Sequence, residues 1–329
     1  VELERSGMRN LYVGIDVGGT KIAYGLFNEK KELLGRYKSA TNPQIYPEEF
    51  GEQIICEMEQ LLAQHGFSFQ DLKGVCIGMP SSVDFTNGVV LWTSNMVNIK
   101  DFHARDYFSK RLPGVEIIVD NDTNLAAVAE HRRGAGCGYE HIIYTAISTG
   151  VGSGFIINNK LFRGTYGGAG ESGHMIITPD EGIECGCGNR GCIMSYSSGS
   201  MVAKHIVNAI KNGRKTIMYD MVEGDLGKIN GTVLNEAYRQ GDELAIEMLE
   251  QMGKYLGIYV YNLFMAFKIN CYIFRGGLLN LGQPLFDSIR RYLNRYYKDN
   301  KHEIVFKTAQ LGADAGIIGA VELLSSNGE

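Results

Sequence analysis

Hydrophobic positions along the chain first fall in short runs closed by turn residues. Leu11–Asp16 is an apolar run ending in a carboxylate, Lys21–Phe27 is a second, and Glu32–Lys38 reads as a third strand. Val17-Gly18-Gly19-Thr20 and Glu29-Lys30-Lys31 turn the chain between them. The opening therefore predicts an antiparallel meander rather than a strand–helix–strand unit. Pro47–His65 carries apolar residues at helical spacing, with Glu48, Glu49 and Glu52 near its start, where a helix dipole favours anions. Gly74–Met79, Val89–Trp92 and Val115–Val119 predict strands, and Asn121–Arg133 a helix with a polar opening and an Ala-rich face.

The pattern then recurs. His141–Ile147 predicts a strand, Ser148–Gly154 a glycine-rich turn, and Phe155–Asn158 a strand closed by an asparagine hairpin turn. Two strand–turn–strand units about 130 residues apart, facing one another, would hold a polyphosphate from both sides. Farther on, Gly241–Ala266 predicts a long helix and Asn270–Phe274 a strand ending at Gly276-Gly277. Gln283–Lys298 predicts a helix, Glu303–Thr308 a strand and Ala313–Leu324 a closing helix. The fold class is α/β, with a change of domain expected near Asp122.

Composition narrows the function. The 329 residues have room for two domains of about 150 residues each, and 44% are hydrophobic. A net charge of −5 gives no basic footprint for nucleic acid. No apolar run approaches the roughly 20 residues of a membrane span. Residues 1–7 read as an expression remnant before a natural start at Met8, with no signal-peptide shape. The expectation is a cytoplasmic protein with neither nucleic acid nor membrane as partner. Cys56, Cys76, Cys137 and Cys271 lie in apolar stretches and are expected to be reduced, buried thiols. Lys30-Lys31 reads as a solvated turn. The aromatics of Tyr255–Tyr261 read as core or subunit interface.

Three segments carry candidate chemistry. His174, Cys185, Cys187 and Cys192 supply one imidazole and three thiolates within a short, glycine-rich stretch. That is the donor set of a closed, structural Zn²⁺ site, although reduced core thiols or a redox set remain alternatives. Asp16 closes a strand before Gly18, Gly19, Thr20 and Lys21. The turn offers backbone N–H groups and a hydroxyl to a phosphate, with a carboxylate for Mg²⁺, or else it is a plain hairpin. Thr149, Gly150 and Gly152 form a second loop of this kind. Asp120-Asn121-Asp122 follows an apolar strand and opens a helix. Capping explains one such polar residue. Their concentration at a strand end favours a site, where a carboxylate would accept a proton from an attacking hydroxyl.

These segments, with Gly78-Met79-Pro80 and Gly170-Glu171-Ser172-Gly173-His174, resemble the ROK family of sugar kinases and sugar-responsive repressors. They run in family order over nearly all of Met8 to Leu324. The resemblance implies two actin-like, ribonuclease-H-like lobes with ATP and a hexose in the cleft. The small lobe would be residues 8–121 with 312–326, the large lobe residues 122–311. It implies Asp122 as the base acting on the sugar's 6-hydroxyl. Asn95, Asn121, Glu171 and His174 would be sugar contacts, and His174 also a zinc ligand. Asp16, Gly18, Gly19, Thr20, Lys21, Thr149, Gly150, Gly152, Gly276 and Gly277 would be the nucleotide elements. A homodimer is the expected assembly.

The chain departs from the family pattern at three places. Met194 stands where family kinases carry a glutamate that binds sugar hydroxyls. Ser81 replaces a glycine near Gly78, and Arg275 replaces the first of three glycines. The reading that results is an ATP-dependent hexose kinase, with glucose the default and N-acetylmannosamine, allose or fructose as alternatives. A non-catalytic sugar sensor is the second reading, suggested by Met194 and opposed by retention of Asp122. Because the first strand begins at Leu11, a member without the repressors' DNA-binding domain is expected. An actin-like ATPase without a small-molecule acceptor is the third.

Overall fold

The computed structural model describes residues 10–93, 95–298 and 301–324. The first seven residues, Met8 and the Ser81 side chain lie outside what is described. The chain opens with β1 (Leu11–Val17), β2 (Lys21–Phe27) and β3 (Leu33–Ala40), an antiparallel meander as expected. After α1 (Pro47–Gln64) come β4 (Leu72–Met79), β5 (Ser81–Asp84), β6 (Val89–Thr93), β7 (Lys100–Phe102), α2 (Ala104–Arg111), β8 (Glu116–Asn121) and α3 (Asp122–Arg133). The first sheet has the order β3-β2-β1-β4-β8, with β4 parallel to β1 and β8 parallel to β4. β5, β6 and β7 form a separate small antiparallel sheet.

The chain continues through β9 (Ile142–Ile147), β10 (Val151–Ile157) and β11 (Lys160–Phe162). Then follow α4 (Met194–Ser197), α5 (Gly199–Lys211), α6 (Ile217–Met221), α7 (Gly231–Arg239), α8 (Glu243–Phe267), β12 (Cys271–Arg275), α9 (Gln283–Tyr296), β13 (Val305–Thr308) and α10 (Ala315–Leu323). The second sheet, β11-β10-β9-β12-β13, repeats the first in order and in strand direction where β12 joins β9 and β13. The recurrence visible in the sequence is thus a recurrence of topology.

Two compact units emerge. The first holds the residues up to Gly138, Gly154–Ala169 and those from Gln310 on; the second holds Tyr139–Ser153 and Gly170–Ala309. In the first unit the sheet is covered on one face by α1, whose Phe50, Ile54, Met58 and Leu61 are buried at a spacing of three to four residues. Leu125 of α3 and Ile317, Ala320 and Val321 of α10 form a second cluster with Tyr12, Ala23 and Cys76. In the second unit α8 is buried along most of its length and packs extensively on α9.

Several expectations need correction. The glycine-rich turn is Ser148–Gly150, not Ser148–Gly154, because Gly152 and Gly154 lie inside β10. Gly154 is a packing glycine there: a side-chain carbon would sit 2.4 Å from Ala127 Cβ, so α3 can approach the strand only over bare backbone. Cys76 and Cys271 are buried, but Cys56 and Cys137 are exposed, on the outer face of α1 and in the turn after α3. Lys31 is not a solvated turn residue. It is half-buried, with Nζ 3.0 Å from the Leu324 carbonyl at the end of α10 and 3.6 Å from the Glu322 carboxylate. Helix dipoles favour a cation at that position.

Candidate functional site

In the first unit the parallel strands set the candidates in line. Asp16 pairs with Gly78 across β1 and β4, and Gly78 with Asp120 across β4 and β8. Strand spacing then places Asp16 and Asp120 about 10 Å apart along the carboxyl-terminal edge of the sheet, where open α/β sheets bind ligands. The turn after Asp16 is closed by the Gly18 N–H donating to the Lys21 carbonyl at 2.9 Å. Thr41 braces it, its hydroxyl donating to the Gly18 carbonyl at 2.7 Å and its N–H to the Thr20 carbonyl at 3.1 Å. Asn95 joins the same edge: a carbon on Gly19 would lie 3.1 Å from its Nδ2.

Asn121 is the N-cap of α3. Its Oδ1 accepts from the N–H groups of Thr123 and Asn124, at 2.9 and 3.2 Å. Asp122 is the first residue of the helix and accepts from the Thr123 N–H at 2.7 Å. Asp120 is buried, and its carboxylate is fully occupied. Oδ1 accepts from the Asn121 N–H and from Asn124 Nδ2, at 2.7 and 2.9 Å. Oδ2 accepts from Nε and Nη2 of Arg163, both at 2.8 Å. The Arg163 guanidinium in turn lies 3.7 Å from the centre of the Phe85 ring. Asp120 and Asn121, the two residues before the carboxylate proposed as a base, are thus both hydrogen-bonded to the start of α3.

In the second unit the loop Ser148–Gly150 leaves the end of β9, and Gly276 leaves the end of β12. Gly276 has φ +144°, and a side chain on it would collide with the Ile147 carbonyl. Only glycine lets the two strand ends meet. The loop is held by the start of α5: the Gly199 N–H donates to the Ser148 carbonyl and the Ser200 hydroxyl to the Thr149 carbonyl, both at 2.6 Å. A carbon on Gly150 would sit 3.4 Å from Met194 Cε, so the Met194 methyl points at this loop. The Gly277 carbonyl accepts from Asn235 Nδ2 at 3.2 Å.

His174, Cys185, Cys187 and Cys192 come together, their ligand atoms all within 4.8 Å of one another. Cys187 and Cys192 Sγ are 3.7 Å apart, and Cys185 Sγ is 3.6 Å from His174 Nδ1. A tetrahedral Zn²⁺ with bonds of about 2.3 Å to sulfur and 2.0–2.1 Å to nitrogen requires about 3.8 and 3.6 Å for these separations. The donor set thus fits a tetrahedral metal in both chemistry and spacing. Burial pushes the Cys192 thiol up to about 12, whereas the Asn189 N–H, its sulfur neighbours and His174 bring Cys187 down to about 7. His174 Nε2 faces away from the sulfurs, 4.0 Å from the Glu171 carboxylate.

The ROK family pattern matches residues 12–327. The chain belongs to the ROK family. It is 32% identical over 318 residues to the glucokinase of Streptomyces coelicolor, covering 95% of this chain and 97% of that protein. It resembles a ROK family glucokinase from Streptomyces griseus, solved in complex with glucose and AMPPNP, at a TM-score of 0.78 and 32% identity, over 95% of this chain and 99% of that one. A xylose repressor of Bacillus spizizenii is 28% identical over 308 residues, 93% of this chain and 75% of the repressor. The fold is the actin-like ATPase fold of ROK sugar kinases. No helix among the described residues is long and apolar enough to cross a membrane.

Within this ROK chain the proposed residues fall in two sets. Asp16, Gly18, Gly19, Thr20, Lys21, Asn95, Asn121 and Asp122 belong to the first unit. Thr149, Gly150, Gly152, Glu171, His174, Gly276, Gly277 and the three cysteines belong to the second. Sequence reasoning missed Thr41, Arg163 and Ser200. None carries a motif, and each reaches its partner across a long stretch of chain.

Proposed function

We propose that the protein is an ATP-dependent hexose kinase transferring the γ-phosphoryl group to the sugar's 6-hydroxyl. The observation that carries the reading is Asp122 at the head of α3, flanked by a fully bonded Asp120. Such an arrangement suits a carboxylate that must stay aimed at one hydroxyl. Full-length likeness to glucokinases, one of them bound to glucose and AMPPNP, supports the same reading.

In the reaction the 6-oxygen forms a bond to the γ-phosphorus, the bond from that phosphorus to the ADP oxygen breaks, and the hydroxyl proton passes to Asp122. Backbone N–H groups at Gly19–Thr20 and Thr149–Gly152 hold the phosphates, on a turn that the Gly18 N–H closes. Gly276 and Gly277 border the adenosine. Asp16 and the Thr20 hydroxyl offer the hard oxygen donors that suit the Mg²⁺ accompanying ATP, which would neutralise charge on the phosphates. Asn121, whose Oδ1 caps α3, would meet the sugar through Nδ2, with Asn95 beside it. Glu171 and His174 Nε2 would bind further hydroxyls. Zn²⁺ at His174 Nδ1 and the three cysteines would hold that loop in shape, and the His174 ring with it.

Glucose is the first sugar to test. Met194 favours alternatives, because an apolar methyl replaces a carboxylate that would accept from a hydroxyl. N-acetylmannosamine, allose and fructose follow, and a sugar sensor is the second reading. Coupled ADP release across these sugars tests the proposal. Sugar-dependent turnover supports the kinase, and sugar binding without turnover supports the sensor.

A further inference from the structure

The candidate phosphate loop and the candidate sugar loop of the second unit are joined by a ring of buried hydroxyls. Ser153, next to Gly152, and Ser172, next to Glu171, are both buried, as is Tyr259 in the middle of α8. The Ser172 hydroxyl donates to Ser153 Oγ at 2.7 Å; Ser153 Oγ and Tyr259 Oη are 2.7 Å apart, and Tyr259 Oη and Ser172 Oγ 2.9 Å. Three hydroxyls and three contacts close a ring. Thr145 of β9 adds a fourth hydroxyl, 3.1 Å from Ser153 and 3.2 Å from Tyr259. Burial pushes the Tyr259 phenol up, so it stays protonated and keeps its place as a donor.

The backbone repeats the link. The Ser153 N–H donates to the Gly170 carbonyl at 2.9 Å. A carbon on Gly170 would lie 2.0 Å from the Ser153 carbonyl oxygen, and one on Gly173 2.0 Å from that of Val151. The segment carrying Glu171 therefore lies flush on the strand that carries Gly152. Hydrogen bonds in a closed ring reinforce one another, and losing one member leaves the others short of a partner in an apolar surrounding.

We infer that Tyr259 is a positioning residue that couples nucleotide binding at Thr149–Gly152 to the geometry of Glu171 and His174. The inference rests on the kinase reading for the identity of the two ligands. Coupling of this kind is reciprocal, so each ligand should tighten the other by the same factor.

The test compares the full-length, metal-loaded protein with Tyr259→Phe and, from the loop side, Ser172→Ala. The readouts are hydrogen exchange at residues 171–174 with and without AMPPNP, and the KM for the sugar at saturating ATP. In the unsubstituted protein AMPPNP alone should slow exchange at 171–174. In both variants that protection should vanish while AMPPNP still binds and metal content is unchanged, and the sugar KM should rise about tenfold, within the usual range of coupling. A purely structural tyrosine would lower stability and leave AMPPNP-induced protection intact. Protection retained in either folded variant overturns the inference. Failure of AMPPNP to bind the unsubstituted protein contradicts the kinase reading itself, and the coupling with it.

Discussion

Arg163 grips Asp120 by a single carboxylate oxygen, Nε and Nη2 each 2.8 Å from Oδ2. The other oxygen is bound to the start of α3, through the Asn121 N–H and the Asn124 side chain. The ion pair thus orients the first turn of the helix that presents Asn121 and Asp122. Removing one partner leaves a buried charge with reduced compensation, which costs about 3 kcal/mol.

Arg163→Gln should lower kcat by about 100-fold, the scale expected when a catalytic group is misplaced by about 1 Å. The sugar KM should change much less, and the melting temperature should fall. Steady-state kinetics beside a thermal melt checks this. A kcat within threefold of the parent protein would show that the pair does not position Asp122.

Metal removal should act through the sugar loop. Chelation, or Cys187→Ser, should weaken sugar affinity at least tenfold, in line with losses seen when the support of a site is disturbed. Nucleotide affinity should change little. Elemental analysis should find about one zinc per chain before chelation. Zinc-free protein with intact thiols and full sugar affinity would remove the metal from the account.

Much of this architecture was legible in the sequence, and the exceptions have physical causes. β1 and β2 were readable as unbroken apolar runs between turn residues, α1 by buried residues at helical spacing, and α3 by its polar cap before an Ala-rich stretch. α2 was not: Ala104 and Phe108 are its only buried residues, too few to set a period. The helices between Gly199 and Arg239 were passed over in the same way. Gly152 and Gly154 were read as a turn, yet they lie in β10, because glycine also marks close backbone approach inside a strand. The motif residues of the site announced themselves by type and order. Arg163 and Tyr259 did not, since they meet their partners 43 and 106 residues away.

Met194 offers a test of sugar choice. Its methyl points at Gly150. Met194→Glu would place a hydrogen-bond acceptor there and should shift preference toward glucose by at least tenfold in kcat/KM, about 1.4 kcal/mol. A panel of hexoses and N-acetylhexosamines with an unchanged ranking would show that residue 194 does not meet the sugar.

Glu130 offers a test of stability apart from chemistry. It is fully buried in α3 and accepts from three N–H groups: Ala135 at 2.9 Å, and Gln310 and Leu311 at 2.8 Å each. Glu130→Ala removes the acceptor that these three N–H groups share, one of them on the buried Ala135, and should cost about 2 kcal/mol. Denaturant unfolding checks this. A loss below about 1 kcal/mol would show that solvent reaches these groups.

The central claim is that Asp122 is the base of a hexose kinase. Its most direct test is Mg-ATP turnover, followed as ADP release, across glucose, N-acetylmannosamine, allose and fructose, with Asp122→Asn beside the parent protein. The account predicts turnover with one of these sugars, and a loss of about 10²–10⁴-fold in Asp122→Asn with sugar and nucleotide still bound. Sugar-dependent turnover that survives Asp122→Asn at near-normal rate would contradict it.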